Sequence, residues 1–263
     1  MSLAPEQVRQ FRTRGYTSAP QFFDKREIAA MQAEVERFQQ EGLVRNVAVE
    51  GDGKTRAKTA ANLQLIPLHD KSNLFRALPF EPKVLDAVSQ LIGDPFILHL
   101  DQMFLKPARH GVGTSWHQDN AYFKIRDPLM GTAMWIAVHD ATVENGTIHV
   151  IPESFREALE HTRDTYSDHH IRCYPPEEKA VPIELPAGGV AFFCYGTPHC
   201  TLANRTDGER AGIAFHFLRN DFISDGNFHR IQLTGPDATQ GRKEYGVEVA
   251  GTWEREIGQV LRG

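Results

Sequence analysis

The chain has 263 residues, and 29 Lys and Arg against 34 Asp and Glu leave a formal charge of −5 with histidine neutral. That mild acidity argues against nucleic acid, whose binding proteins carry a basic excess. A 41% apolar share, with 16 Phe, 6 Tyr and 3 Trp spread along the length, argues against disorder and suffices for a core without disulfides or structural metals.

Taken in chain order, helices come first. Pro5 suits a first helical turn and Gly15 supplies a stop. Asp24 and Glu27 read as a capping box ahead of Ile28, Met31, Val35 and Phe38, which repeat at helical spacing up to Gly42. Pro82 opens a third helix, whose Val84, Leu85, Val88, Leu91 and Ile92 form one stripe before Gly93. Residues 1–95 are therefore expected to form a mostly helical flank, with the polar segment 50–58 an exposed loop.

From Phe96 the pattern changes to short β-type runs at 96–106, 115–123, 132–141, 147–151, 181–185, 190–195 and 210–218. Many short strands between Gly, Pro and Asp turns predict an antiparallel sandwich or barrel over 96–220. The polar stretch 152–180 is too long for a hairpin connection and has the length of a lid or binding loop. Residues 221–263 read as a C-terminal segment, and the whole as one domain. No apolar segment has the length of a signal peptide core or a membrane span. Cys173, Cys194 and Cys200 are odd in number and form no Cys-x-x-Cys, so the expected location is cytoplasmic.

Twelve histidines in such a chain ask for an explanation. In Trp116-His117-Gln118-Asp119-Asn120, residues two apart in an extended strand share a face, so His117 and Asp119 can approach one cation. The pair alone is weak, because chance supplies about one in a chain this rich in both residues. His199 adds a second imidazole, and two histidines with one carboxylate are the facial set suited to non-haem Fe(II), with three positions left open. A keto acid chelating that iron turns its far carboxylate away, and a buried carboxylate demands a cation. Arg210 is the candidate, since its planar fork meets a carboxylate with two hydrogen bonds. If 199–201 and 210–218 pair as a hairpin, a tight turn at Asp207-Gly208 puts Arg210 roughly 20 Å from the position facing His199. A wide turn over 203–208 instead places Arg210 opposite Thr201, and is the predicted form.

Leu105-Lys-Pro107, Trp116-His-Gln-Asp119, Met134-Trp-Ile-Ala137, Glu144-Asn-Gly146 through Val150-Ile-Pro152, and Pro198-His-Cys-Thr201 through Arg210 follow one another in a specific order. On these segments the sequence resembles the phytanoyl-CoA dioxygenase (PhyH-like) family of Fe(II)/2-oxoglutarate-dependent oxygenases. The resemblance implies a mainly β protein with flanking helices around a double-stranded β-helix, the cupin-like jelly roll. It implies iron bound by His117, Asp119 and His199, and 2-oxoglutarate held at its far carboxylate by Arg210 and Thr201. Lys106 and Trp135 match positions lining the cosubstrate pocket, and Gln102 lies on the same strand face as Lys106. Fe(II), 2-oxoglutarate and O₂ are the expected cofactor and cosubstrates. The expected reaction is hydroxylation of an unactivated C–H of a small-molecule or acyl substrate, with succinate and CO₂ released. Charges of iron, Asp119, the 2-oxoglutarate dianion and Arg210 cancel, as a low-dielectric interior requires.

Two departures stand out. Pro152-Glu-Ser-Phe155 replaces a common Pro-Gly-Ser-His, and His199 is followed by Cys-Thr where Gly-Ser is frequent, although Thr201 keeps the hydroxyl. Related halogenases have a small residue where Asp119 stands, so its presence favours hydroxylation. Asn120 and Tyr122 follow the metal pair and are candidates to face the substrate. His99, His139, His149 and His216 read as core or supporting groups, none as a ligand. The competing reading is a cupin-like metal-binding module without oxygenase activity, for which Arg210 and Thr201 would have no use. Expected partners are limited to a small-molecule substrate, with neither nucleic acid nor membrane.

Overall fold

Helices form where their end signals lie. The structure is a computed structural model describing residues 2–222, 230–238 and 251–263. Helix α1 (Pro5–Arg14) stops at Gly15, left-handed at φ 83°. Helix α2 (Lys25–Gln40) begins at Asp24, whose carboxylate accepts from the Arg26 and Glu27 N–H groups, while the Glu27 carboxylate accepts from the Asp24 N–H. After a short α3 (Asn73–Ala77), α4 (Pro82–Ile92) ends at Gly93 as the stripe predicts.

The flank is less purely helical than expected. Within it β1 (Tyr16–Ala19), β2 (Arg45–Asn46) and β3 (Leu63–Leu65) join a sheet built mainly from later residues. They are too short, at two to four residues, to show a period of two. Then follow β4 (Phe96–Lys106), β5 (Thr114–His117), one helical turn α5 (Asn120–Phe123), β6 (Gly131–Ala137), β7 (Ile148–Val150), β8 (Thr162–Arg163) and β9 (Ile171–Arg172). The order closes with β10 (Val181–Ile183), β11 (Val190–Cys194), β12 (His199–Thr201), β13 (Arg210–Arg219), β14 (Ile231–Gln232) and α6 (Trp253–Val260).

A large antiparallel sheet runs β1-β11-β6-β13-β4-β3-β2, with β14 also on β4, and a smaller one runs β10-β7-β12-β5. This is the expected jelly-roll core. Alternation divides each central strand of the large sheet between two environments. Met134, Ile136, Ile213, Phe215 and Phe217 pack outward with Met31, Phe38, Val84 and Val88 of the helices. Ala133, Trp135, Ala137 and Ala214 face inward and meet Ile148 and Val150 of the small sheet. Among the described residues, no helix is long and apolar enough to cross a membrane.

Two expectations need correction. The strand expected over 115–123 stops at His117, and Asp119 already has helical backbone angles (φ −57°, ψ −34°) at the head of α5. The proposed hairpin does not exist either. Strand β12 lies between β7 and β5 in the small sheet, whereas β13 lies between β6 and β4 in the large one. Arg210 accordingly pairs with Lys106, not Thr201. The connection is wide, as predicted, because it crosses between sheets. Its Asn204 carboxamide donates to the Lys106 and Gly208 carbonyls and accepts from the Thr206 N–H. Inward-facing parity cannot separate a hairpin from a sheet switch, since both direct the same residues into the interior.

One close approach inside the barrel depends on a missing side chain. A Cβ on Gly212 would fall 2.5–2.7 Å from the Trp135 indole. Gly212→Ala is expected to displace Trp135 and cost about 1–3 kcal/mol, as overpacking does. Denaturant unfolding followed by tryptophan fluorescence would measure both effects.

Candidate metal centre

His117 and His199 are directly paired across β5 and β12, which sets their rings 4.2 Å apart between centroids. Each ring is oriented by a backbone carbonyl two residues before it. His117 Nδ1 lies 2.8 Å from the Ser115 carbonyl and His199 Nδ1 lies 2.9 Å from that of Thr197. A carbonyl only accepts, so both protons sit on Nδ1, and both Nε2 lone pairs are free for a metal. Asp119 completes the group because the chain turns into α5 straight after Gln118. Its Oδ1 comes 3.9 Å from His117 Nε2 and 3.8 Å from His199 Nε2.

The three ligand atoms lie within 4.8 Å of one another. Two ligands each about 2.1 Å from one ion stand at most about 4.2 Å apart, so the 3.9 and 3.8 Å carboxylate–imidazole separations lie within reach of a shared ion and the residues fit a metal held on one face. Their protonation fits as well. Burial, more than the opposing Asp119 charge, holds the His117 imidazole below its ordinary range, and burial with His117 lowers His199 to about 4. Burial would raise the Asp119 carboxyl, but His216, His199 and His117 outweigh it and keep it ionised.

Behind the metal group lies a second charged set. Lys106 and Arg210 are both fully buried and adjacent across β4 and β13. Arg210 Nη2 donates to the Gly146 carbonyl at 2.5 Å, and Lys106 Nζ donates to the same carbonyl at 3.3 Å and to that of Leu202. Gly146 can present this carbonyl because its φ of 80° and the nearby Leu202 carbonyl leave no room for a Cβ. The Arg210 guanidinium also stands 5.5 Å from the Trp135 ring centre, and its Nε has no partner. Burial, then Arg210, pushes the Lys106 ammonium well below the lysine range, and burial lowers Arg210 to about 10. Among the described residues, neither cation has a carboxylate within ion-pair distance. The sequence-based charge balance counted Arg210 and omitted Lys106.

A cavity opens in front of the three ligands. Trp135, Thr201, Gln102 and Tyr122 line it, as do His169 and His170 from the 152–180 segment. Thr201 Oγ1 accepts from the Thr114 N–H, which leaves its own hydrogen to donate. Asn120 is not in that lining. Its carboxamide accepts from the Ile125 N–H and donates to the Ile125 carbonyl, so it closes the turn after α5 instead of facing a substrate. Gln118, between two ligands, points away and ties down the long segment. It donates to the Glu157 and Gly196 carbonyls, and accepts from the Leu159 N–H.

One of the four histidines read as core or supporting groups stands at the centre of the site. His216 Nε2 lies 3.3 Å from Asp119 Oδ2, the oxygen turned away from the other two histidines. Counting from Arg210 in steps of two along β13 reaches His216 on the same inward face, a signal available from periodicity alone.

A jelly roll whose interior holds two histidines and a carboxylate beside an open cavity is the framework of a non-haem Fe(II) oxygenase. The phytanoyl-CoA dioxygenase (PhyH) family model matches residues 11–212, and the chain belongs to that family. The ectoine dioxygenase of Stutzerimonas stutzeri is 26% identical over 240 residues, covering 83% of this chain and 78% of that one. Among solved structures, the non-haem α-ketoglutarate-dependent carbocyclase SnoK from nogalamycin biosynthesis superposes with a TM-score of 0.69 at 22% identity, covering 82% of this chain and 84% of that one. EctD from S. alaskensis with 2-oxoglutarate and 5-hydroxyectoine gives a TM-score of 0.66 at 20% identity, over 84% and 77% of the two chains. The protein is a non-haem Fe(II)/2-oxoglutarate-dependent dioxygenase, and His117, Asp119 and His199 fit its iron.

His216→Leu removes the group facing Asp119 Oδ2 and is expected to weaken Fe(II) binding about 10–100-fold, the usual effect of losing a residue that orients a metal ligand. His216→Gln keeps an N–H donor and should recover most of that loss. Anaerobic Fe(II) titration of both variants, with thermal unfolding as a control, checks this.

Proposed function

We propose that the protein hydroxylates an unactivated C–H of a small molecule, with 2-oxoglutarate converted to succinate and CO₂. Bound Fe(II) supplies the oxidative chemistry. The chain's own residues position the reactants and exclude water. The observation that carries this reading is the pair Lys106 and Arg210, two basic groups buried in the interior with no carboxylate among the described residues within ion-pair distance, behind a three-ligand metal face. A module that only stored or sensed metal would have no use for them.

In this reading the far carboxylate of 2-oxoglutarate replaces the Gly146 and Leu202 carbonyls as the partner of Arg210 and Lys106. The Thr201 hydroxyl donates to the same carboxylate. Trp135 forms one wall of the cosubstrate site, and Gln102 stands at its border with the substrate space. Tyr122, whose hydroxyl accepts from the Ile171 N–H and is pushed up to about 12 by burial, stays protonated and faces the substrate. Neither nucleic acid nor a membrane has a role here. Three buried, unpaired cysteines suit a reducing, cytoplasmic setting.

Arg210→Ala is expected to raise the KM for 2-oxoglutarate about 30-fold or more, the cost of leaving a buried charge unpaired, with Fe(II) affinity unchanged. Succinate release measured against 2-oxoglutarate concentration tests it. Without substrate, anaerobic addition of Fe(II) and 2-oxoglutarate to the unaltered protein should give the visible charge-transfer band of a bidentate chelate. Failure of that band would favour the metal-binding module.

A further inference from the structure

The substrate half of the cavity differs in kind from its cosubstrate end. Ile66, Leu100, Phe104 and Phe123 line it. Its polar groups are the carboxamides of Gln64 and Gln102, the Tyr122 hydroxyl, and the rings of His169 and His170. Among the described lining residues the only carboxylate is Asp119, which belongs to the metal, and no Lys or Arg is present. His170 is buried against Phe104, 5.7 Å between ring centres, and burial holds it well below the ordinary range, so it is neutral. His169 directs its Nδ1 at Asp168, 2.6 Å away.

The two carboxamides are joined to each other. Gln64 Nε2 donates to Gln102 Oε1 at 2.9 Å, on neighbouring strands β3 and β4. That single bond spends one donor and one acceptor. Gln64 is 3% exposed, and its Oε1 is buried with no partner. An unpaired buried acceptor is costly to keep, so it is a place where a ligand donor gains most. Gln102 Nε2 has no protein acceptor among the described residues and supplies the complementary donor.

Resting on the Fe(II)/2-oxoglutarate reading, we infer that the substrate is an uncharged, largely hydrocarbon or aromatic molecule whose one polar edge sets an N–H or O–H beside a C=O, docked on Gln64 and Gln102. A fixed charge on the substrate would have to be desolvated in this half of the cavity without a counter-charge. An acyl-CoA thioester and a zwitterionic amino-acid derivative therefore both fit poorly. The carboxamide pair is a specificity device: a ligand lacking the edge leaves Gln64 Oε1 unsatisfied, which discriminates more strongly than an added or missing methylene.

The test uses the chelate band, which reports the cosubstrate reading independently of the substrate. With the Fe(II)/2-oxoglutarate complex formed anaerobically, the neutral lactams oxindole and ε-caprolactam are titrated against cyclohexanecarboxylate, cyclohexylammonium and the zwitterion ectoine. The lactams should perturb the band at least tenfold more tightly than the charged probes. In Gln64→Leu that preference should shrink about tenfold with the band itself and Fe(II) affinity intact. Tighter binding of a charged probe, no lactam effect at millimolar concentration, or unchanged lactam affinity in Gln64→Leu would overturn the inference. Absence of the band in the unaltered protein would instead overturn the cosubstrate reading beneath it.

Discussion

Two basic side chains buried side by side, with no carboxylate among the described residues within ion-pair distance, set the constraint on which the interior depends. Lys106 and Arg210 face each other across the centre of the large sheet, and each turns to backbone carbonyls for want of a carboxylate. Such an arrangement is unfavourable in a low-dielectric interior unless an anion arrives. Much of the surrounding structure serves to keep it in place. Gly146 takes a left-handed conformation that brings its carbonyl to both cations, Gly212 lets the Trp135 ring lie flat beside Arg210, and Asn204 clamps the crossing segment onto Lys106. The metal face is meanwhile built from the opposite sheet, so the metal ligands and the basic pair stand on the two halves of the jelly roll.

The parts of the fold legible in the sequence are those whose signals are local and long. Strand β4 was readable to the residue, β13 to within one residue, and α1, α2 and α4 are bounded by caps that sit where Gly15, Asp24 and Gly93 place them. Short strands were not legible. Strand β12 has only three residues, one of them His199, and periodicity has nothing to count there. The hairpin expected between 199–201 and 210–218 failed because facing parity is preserved when a chain changes sheets, and loop length alone does not reveal the change.

The site was legible through residue types and order more than through geometry. Two histidines and a carboxylate assemble as expected, yet not by sharing one strand face, since Asp119 lies beyond the end of β5. Asn120 illustrates the limit: its position beside the ligands suggested substrate contact, and its carboxamide is used by Ile125 instead. Gln64 could not be singled out, because its importance comes from an unpaired oxygen in a cavity formed by strands far apart in sequence.

The way the two histidines are held has a wider consequence. Each imidazole is fixed by a carbonyl two residues back along the chain, so no side chain elsewhere is needed to aim it. Side chains across the outer cavity are thereby released from any duty toward the two histidine ligands. A lineage built on this scaffold can exchange them one at a time, trying new substrates while the oxidising centre keeps its aim.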